Sequence, residues 1–216
     1  MSLIDLHCDT ISEIYCKRKQ REIYLSENDL MVDINKLKKS DVMMQCFAMF
    51  TYLENVKNPF EYVNELIDLY EKEIQGNSSQ ISFARSYEDI IRNKEAGKIS
   101  AMLTIEEGEA IEGNIKNLEH FYNRGVRMMS LTWNFENSIA YSNKKIINKD
   151  GDIELISETE KGLKPFGFDV VMRMEEMGMI VDVSHLSDAG IYDILDVMKV
   201  PFIASHSKLY VIMQEI

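Results

Sequence analysis

The chain has 216 residues, 45% hydrophobic and 28% charged, and its 36 acidic against 24 basic side chains leave a formal net charge of −12. It is too apolar to be disordered and long enough to bury a core without a disulfide or metal staple. The acidic balance argues against a nucleic-acid partner, which needs clustered Lys and Arg to displace counterions from phosphate.

In chain order, the first expected strand covers 3–7 and ends in His7-Cys8-Asp9. A short Lys-Arg cluster at 17–22 reads as a solvated loop or helix face. Expected strands follow at 43–51, 100–105, 126–132, 179–185 and 202–206, each short and almost continuously apolar, as in a parallel sheet buried on both faces. Between them lie amphipathic helices with readable ends. Pro59 opens one that closes at Gly76, and Ser86 caps a second that ends at Gly97. A third runs from Asn114 to Gly125, a fourth through Phe166 and Met174 to Gly178, and Ser187 caps a fifth. Segment 135–160 is polar and aperiodic and reads as a long loop. A helix is expected to begin after Ser207.

Alternating strands and helices leave an open doubly wound sheet or a (β/α) barrel. Neither a GxGxxG nor a GxxxxGK[ST] phosphate loop is present. Three cysteines (Cys8, Cys16 and Cys46) without framework spacing point to a reducing compartment. No apolar run approaches the roughly 18–20 residues of a membrane span. With neither a signal peptide nor a lipid-anchor signal at the chain ends, a cytoplasmic location is expected.

Three of the four histidines stand at the C-terminal ends of expected strands. Positions i and i+2 of a strand share a face, so His7 and Asp9 can hold one cation while Cys8 packs away from it. Glu106 ends the strand at 100–105, His185 ends Ile-Val-Asp-Val-Ser-His, and His206 ends Phe-Ile-Ala-Ser-His. Imidazole and carboxylate donors suit a hydrolytic metal site, and a carboxylate can bridge two cations about 3.5–4 Å apart. Strand ends reach one centre at the mouth of a barrel but are spread along a line in an open sheet, so the donor set favours the barrel. Asp182, of opposite parity to His185, reads as a buried supporting residue. His120 reads as a surface residue, the fourteen methionines as core filler, and Glu107 and Glu109 as exposed loop carboxylates.

The segments IDLHCDT (4–10), VDINKLKKSDVMMQCFAMF (32–50), TIEEGEAIEG (104–113), GVRMMSLTWNFEN (125–137), KGLKPFGFDVVMRMEEMGMIVDVSHLSD (161–188) and PFIASHS (201–207) resemble, in order, the membrane dipeptidase (renal dipeptidase) family of binuclear zinc peptidases, peptidase family M19. The resemblance implies a zinc-dependent dipeptidase that hydrolyses the peptide bond of dipeptides through a metal-bridging hydroxide. His7 and Asp9 would bind one zinc ion, His185 and His206 the second, and Glu106 would bridge the two. Three departures stand out. Trp133 replaces a histidine of animal members that contacts substrate. Glu107 replaces the first glycine of Glu-Gly-Gly. The chain stops at Ile216, before the family's Arg-Asn element and a later strand-end aspartate. The expectation is thus a single, partial TIM-type barrel domain over 1–216, with about six of eight βα units. A dipeptide is the implied partner, and a homo-oligomer is compatible with the sequence. The alternative is a truncated remnant that binds metal or a partner without turnover; a more distant one is an amidohydrolase-like barrel acting on another amide. The donor set alone also suits Mn²⁺, Co²⁺ or Fe²⁺.

Overall fold

The computed structural model describes residues 2–147 and 153–206. Strands β1 (Leu3–Asp5), β2 (Val42–Phe50), β3 (Ile81–Phe83), β4 (Ile99–Glu106) and β5 (Val126–Ser130) belong to one sheet. A short antiparallel hairpin, β6 (Lys144–Ile147) with β7 (Ile153–Ile156), lies apart from it. Strand β8 (Ile180–Asp182) completes the sheet, whose order β1-β2-β4-β5-β8 is parallel throughout. Strand β3 shares one edge of β4 with β5: Ile81 pairs with Ile99 at the start of β4, and Val126 with Leu103 further along.

The helices are α1 (Thr10–Lys17), α2 (Ile34–Lys39), α3 (Pro59–Gly76), α4 (Tyr87–Glu95), α5 (Ile115–Arg124), α6 (Pro165–Met177) and α7 (Asp188–Val197). The five expected helices are present, and four start where expected, at Pro59, Ser86, Asn114 and Ser187; the Ser86, Asn114 and Ser187 side chains accept from the backbone amides of Asp89, Lys116 and Gly190. Gly125 and Gly178 end α5 and α6 at φ of 106° and 69°, a left-handed turn that a β-carbon would strain.

This is the parallel half of a TIM-type (β/α) barrel. All eight residues of β4 are buried, which explains why its sequence up to Glu106 is apolar but for Ser100 and Thr104. One sheet face packs on the helices through a large core that includes Phe47, Met49, Val63, Leu66, Leu103, Phe121, Val171 and Met174. The other carries a smaller cluster of Met44, Cys46, Met102 and Met128, with Ile180 and Ile203 packed onto it. Strand alternation puts Met102, Thr104 and Glu106 on this second face, and likewise Met128 with Ser130 and Ile180 with Asp182. Acid side chains at the ends of β4 and β8 therefore project over a sulfur-rich apolar floor.

Several expectations need correction. The segment 202–206 is not a full strand: Ile203 makes a single parallel bridge beside β8, donating to the Val181 carbonyl and accepting from Val183 N–H. Segment 135–160 is not all loop, because β6 and β7 pair Lys144 with Ile156 and Ile147 with Ile153. Helices α1 and α2 and strand β3 were not foreseen, being too short to show a period. Met172 is 49% exposed and fills no core. The 17–22 cluster is not wholly solvated, since Arg18 pairs with the buried Glu73. The helix expected after Ser207 lies outside the described residues.

Helix α2 illustrates a buried cap. The Asp33 carboxylate accepts from Lys36 N–H at 2.7 Å and Asn28 N–H at 3.2 Å, and the Lys36 ammonium lies 2.9 Å away. Burial opposes its ionisation, but these donors hold the carboxyl below its ordinary range. Asp33→Ala is expected to lower unfolding stability by about 1 kcal/mol at neutral pH. A depressed pKa contributes stability that is full above the unfolded value near 3.8 and lost as pH falls through the folded one. Urea midpoints of wild type and variant should therefore converge as pH drops below about 4.

Candidate metal centre

His7 and Asp9 follow β1, Glu106 ends β4, and His185 and His206 stand just beyond β8 and its Ile203 neighbour. The structure brings all five to one mouth of the sheet. Glu106 is 3% exposed, and its two oxygens face different partners. Oε2 lies 3.3 Å from His7 Nε2, which is also 3.3 Å from Asp9 Oδ1. Oε1 lies 3.2 Å from His185 Nε2 and 3.7 Å from His206 Nε2, and these two nitrogens are 2.8 Å apart. Donor atoms of His7, Glu106 and His206 all fall within 4.8 Å of one another. Asp9 Oδ1 is buried yet accepts no hydrogen bond.

The electrostatics suit ligation, which needs ionised carboxylates and neutral imidazoles. Burial opposes charge on Glu106, but hydrogen bonds to His185 and His7 outweigh it and hold its carboxyl near about 2. Burial and the neighbouring His7 push His206 below the ordinary imidazole range. His7 is the exception: burial disfavours its cation, yet the Asp9 and Glu106 carboxylates push it up to about 10. The arrangement concentrates negative charge that positive charge must balance. A buried Asp9 oxygen that accepts no hydrogen bond beyond its ion pair with His7, and four inward Nε2 or carboxylate donors, fit a cation of the zinc type.

Cys8 packs into the main core, where burial raises its thiol to about 12, so it is no ligand. The remaining ring nitrogens are held from outside. His185 Nδ1 lies 3.2 Å from Asn134 Oδ1, and His206 Nδ1 lies 3.0 Å from Ser205 Oγ. Such contacts fix a ring's orientation, here turning each Nε2 toward Glu106. His185 has φ of 65°, an uncommon value for a residue with a β-carbon, and its carbonyl accepts from Thr132 Oγ1.

Asp182 is the buried anchor beneath these strand ends. Its Oδ1 accepts from Ser184 N–H, Ser184 Oγ and Ser205 N–H, and its Oδ2 from Ser130 Oγ and Ser205 Oγ. These hydrogen bonds outweigh burial and keep the carboxyl below its ordinary range. Asp182→Ala strands five donors and is expected to cost about 3 kcal/mol, read as a lower urea midpoint with unchanged m.

Glu107 and Glu109 are not exposed loop carboxylates. Glu107 is fully buried; it accepts from Trp133 N–H at 2.9 Å, Asn137 Nδ2 at 2.5 Å and Glu109 N–H at 3.0 Å. Glu109 accepts from Ser138 N–H at 2.6 Å. Trp133 sits among Phe50, Tyr52 and Phe135, with its ring centroid 6.0 Å from that of His185. His120 is exposed on α5 beside Asn64, as expected. Asn134 and Ser205, which hold the two histidines, were not singled out from the sequence. Their only signal is adjacency, Asn134 to Trp133 and Ser205 to His206.

Comparisons with known proteins fit this geometry. A family model described as "Membrane dipeptidase (Peptidase family M19)" matches residues 1–215. An uncharacterised dipeptidase of Schizosaccharomyces pombe is 28% identical over 191 residues, 82% of this chain and 44% of that protein. A dipeptidase of Claviceps purpurea is 29% identical over 150 residues, 69% of this chain and 33% of that one. The chain thus spans less than half the length of these curated relatives. A metallo peptidase from Rhodobacter sphaeroides, solved with a phosphinate mimic of the dipeptide L-Ala-D-Ala, superposes with a TM-score of 0.80 at 16% identity, covering 96% of this chain and 65% of that one. A solved M19 dipeptidase gives 0.81 at 18% identity, covering 96% and 63%.

Proposed function

The chain belongs to the membrane dipeptidase family, peptidase family M19, and from that premise we propose that it is a zinc-dependent dipeptidase domain, a single partial TIM-type barrel over 1–216. The observation that carries this reading is the division of Glu106 between two donor sets. Its Oε2 faces His7, which also pairs with Asp9, and its Oε1 faces His185 and His206. His7 and Asp9 would hold one cation, His185 and His206 a second, and Glu106 would bridge them. When bound, the two cations would polarise the scissile carbonyl and bring the pKa of a shared water into the neutral range. Zinc is the choice of the family; the donor types by themselves suit other divalent metals too.

The chain's own residues contribute binding, orientation and charge. Glu106 keeps its negative charge fixed between the two donor sets, so neither needs to reorganise during reaction. Asn134 and Ser205 keep His185 and His206 turned inward. Trp133, half-buried between Phe50, Tyr52 and Phe135, offers an apolar wall to a dipeptide side chain next to the reacting bond. No helix among the described residues is long and apolar enough to cross a membrane. Cys8, Cys16 and Cys46 are all free, which agrees with the proposed cytoplasmic location.

Hydrolysis of L,L- and L,D-dipeptides by the Zn²⁺-loaded chain, followed by release of free amino acid, tests the reading. Turnover that His185→Ala reduces by at least about a hundredfold is the expected result. A folded, metal-loaded chain that cleaves no dipeptide would instead support binding without turnover.

A further inference from the structure

The Glu107 carboxylate is buried and lies one residue after the shared ligand, yet it faces away from the metal centre and into the loop after β5. It sits at φ of 86°, a conformation that favours glycine and that a glutamate adopts at a cost. Its three acceptor contacts reach Trp133 N–H, Asn137 Nδ2 and Glu109 N–H. Asn137 extends the latch: it donates to the Leu131 carbonyl and accepts from Ile139 and Ala140 N–H. The two segments are in close backbone contact. A β-carbon on Gly108 would stand 2.5 Å from the Leu131 carbonyl oxygen. Asn134, which contacts His185 Nδ1, lies one residue beyond the latched Trp133 amide.

We propose that Glu107 is a positioning residue whose buried carboxylate seats the 131–139 loop, holding Asn134 against His185 and Trp133 in the aromatic wall. The importance of His185 rests on the metallopeptidase reading, whereas the seating of the loop does not. A carboxylate suits this role because it accepts from several donors at once and donates to none. Glutamine keeps the shape but turns an NH₂ toward those donors. Glycine removes the latch but relieves the positive φ, which offsets part of the cost of the stranded donors, so Glu107→Gly is the second variant to compare.

Trp133 is the only tryptophan of the chain, so its fluorescence reads the loop directly. In folded Glu107→Gln and Glu107→Gly, acrylamide quenching of Trp133 is expected to rise at least about twofold with a red-shifted emission, with or without metal. Unchanged quenching in both folded variants overturns the proposal. The second readout is Co²⁺ affinity, followed by visible absorption. Asn134→Ala and Glu107→Gln are each expected to weaken it about tenfold, and the double variant no further than the weaker single. Weakening by Asn134→Ala alone, or fully additive losses, would show that Glu107 supports the fold but does not act through Asn134. A wild-type chain that binds no Co²⁺ refutes the metal reading, and the quenching result then decides the seating of the loop.

Discussion

Replacing Glu106 with alanine is expected to abolish measurable dipeptide hydrolysis and to weaken divalent-cation binding by at least about a hundredfold. Its two oxygens reach His7 on one side and His185 and His206 on the other, so its loss removes the ligand shared by the two donor sets. Glu106→Gln sharpens the result. It keeps the shape and one acceptor, but it removes the negative charge and the second ligand oxygen offered to the cations, so it should lose nearly as much affinity as alanine. Circular dichroism on the metal-free variants separates lost ligation from lost fold. An alanine variant that kept wild-type cation affinity would refute the bridging role.

The largest expected effect on stability lies at a buried carboxylate that is not a candidate ligand. Glu73, on α3, is 5% exposed; it accepts from Arg18 Nη2 at 2.5 Å and from Leu25 N–H at 2.7 Å. Arg18 also donates to the Ile23 carbonyl, so one carboxylate ties down the crossing from α1 toward α2. Removing one partner of a buried pair leaves the other charge uncompensated, and Glu73→Ala is expected to cost about 3–5 kcal/mol. The exposed pair of Arg21 with Asp29 gives the contrast. Arg21→Ala should change stability by less than about 1 kcal/mol. Urea unfolding of both variants checks the ranking.

The strongest features of the fold were legible because they are local. Continuous apolar runs marked β2, β4 and β5, while Ser86, Asn114 and Ser187 marked helix starts by residue type alone. The candidate ligands were legible because each stands at or just beyond the end of a short apolar run, and a barrel brings such ends to one mouth. The hairpin of β6 and β7 was missed because its strands are four residues each, too short to show a period against polar flanks. Burial of Glu107 could not be foreseen. Its donors, Trp133 and Asn137, lie 26 and 30 residues further along the chain, and only the approach of two loops makes a dry pocket for that carboxylate. The same holds for Glu73, 55 residues from Arg18. Long-range polar contacts carry no periodicity, so hydrophobic patterning is blind to them.

The proposed centre holds two cations with Glu106 between them. Equilibrium dialysis of the folded 216-residue chain against Zn²⁺, followed by elemental analysis, tests it most directly. About two tightly bound zinc ions per chain, falling to one or fewer in Glu106→Ala, is the expected result. Fewer than one bound cation per folded wild-type chain would contradict it.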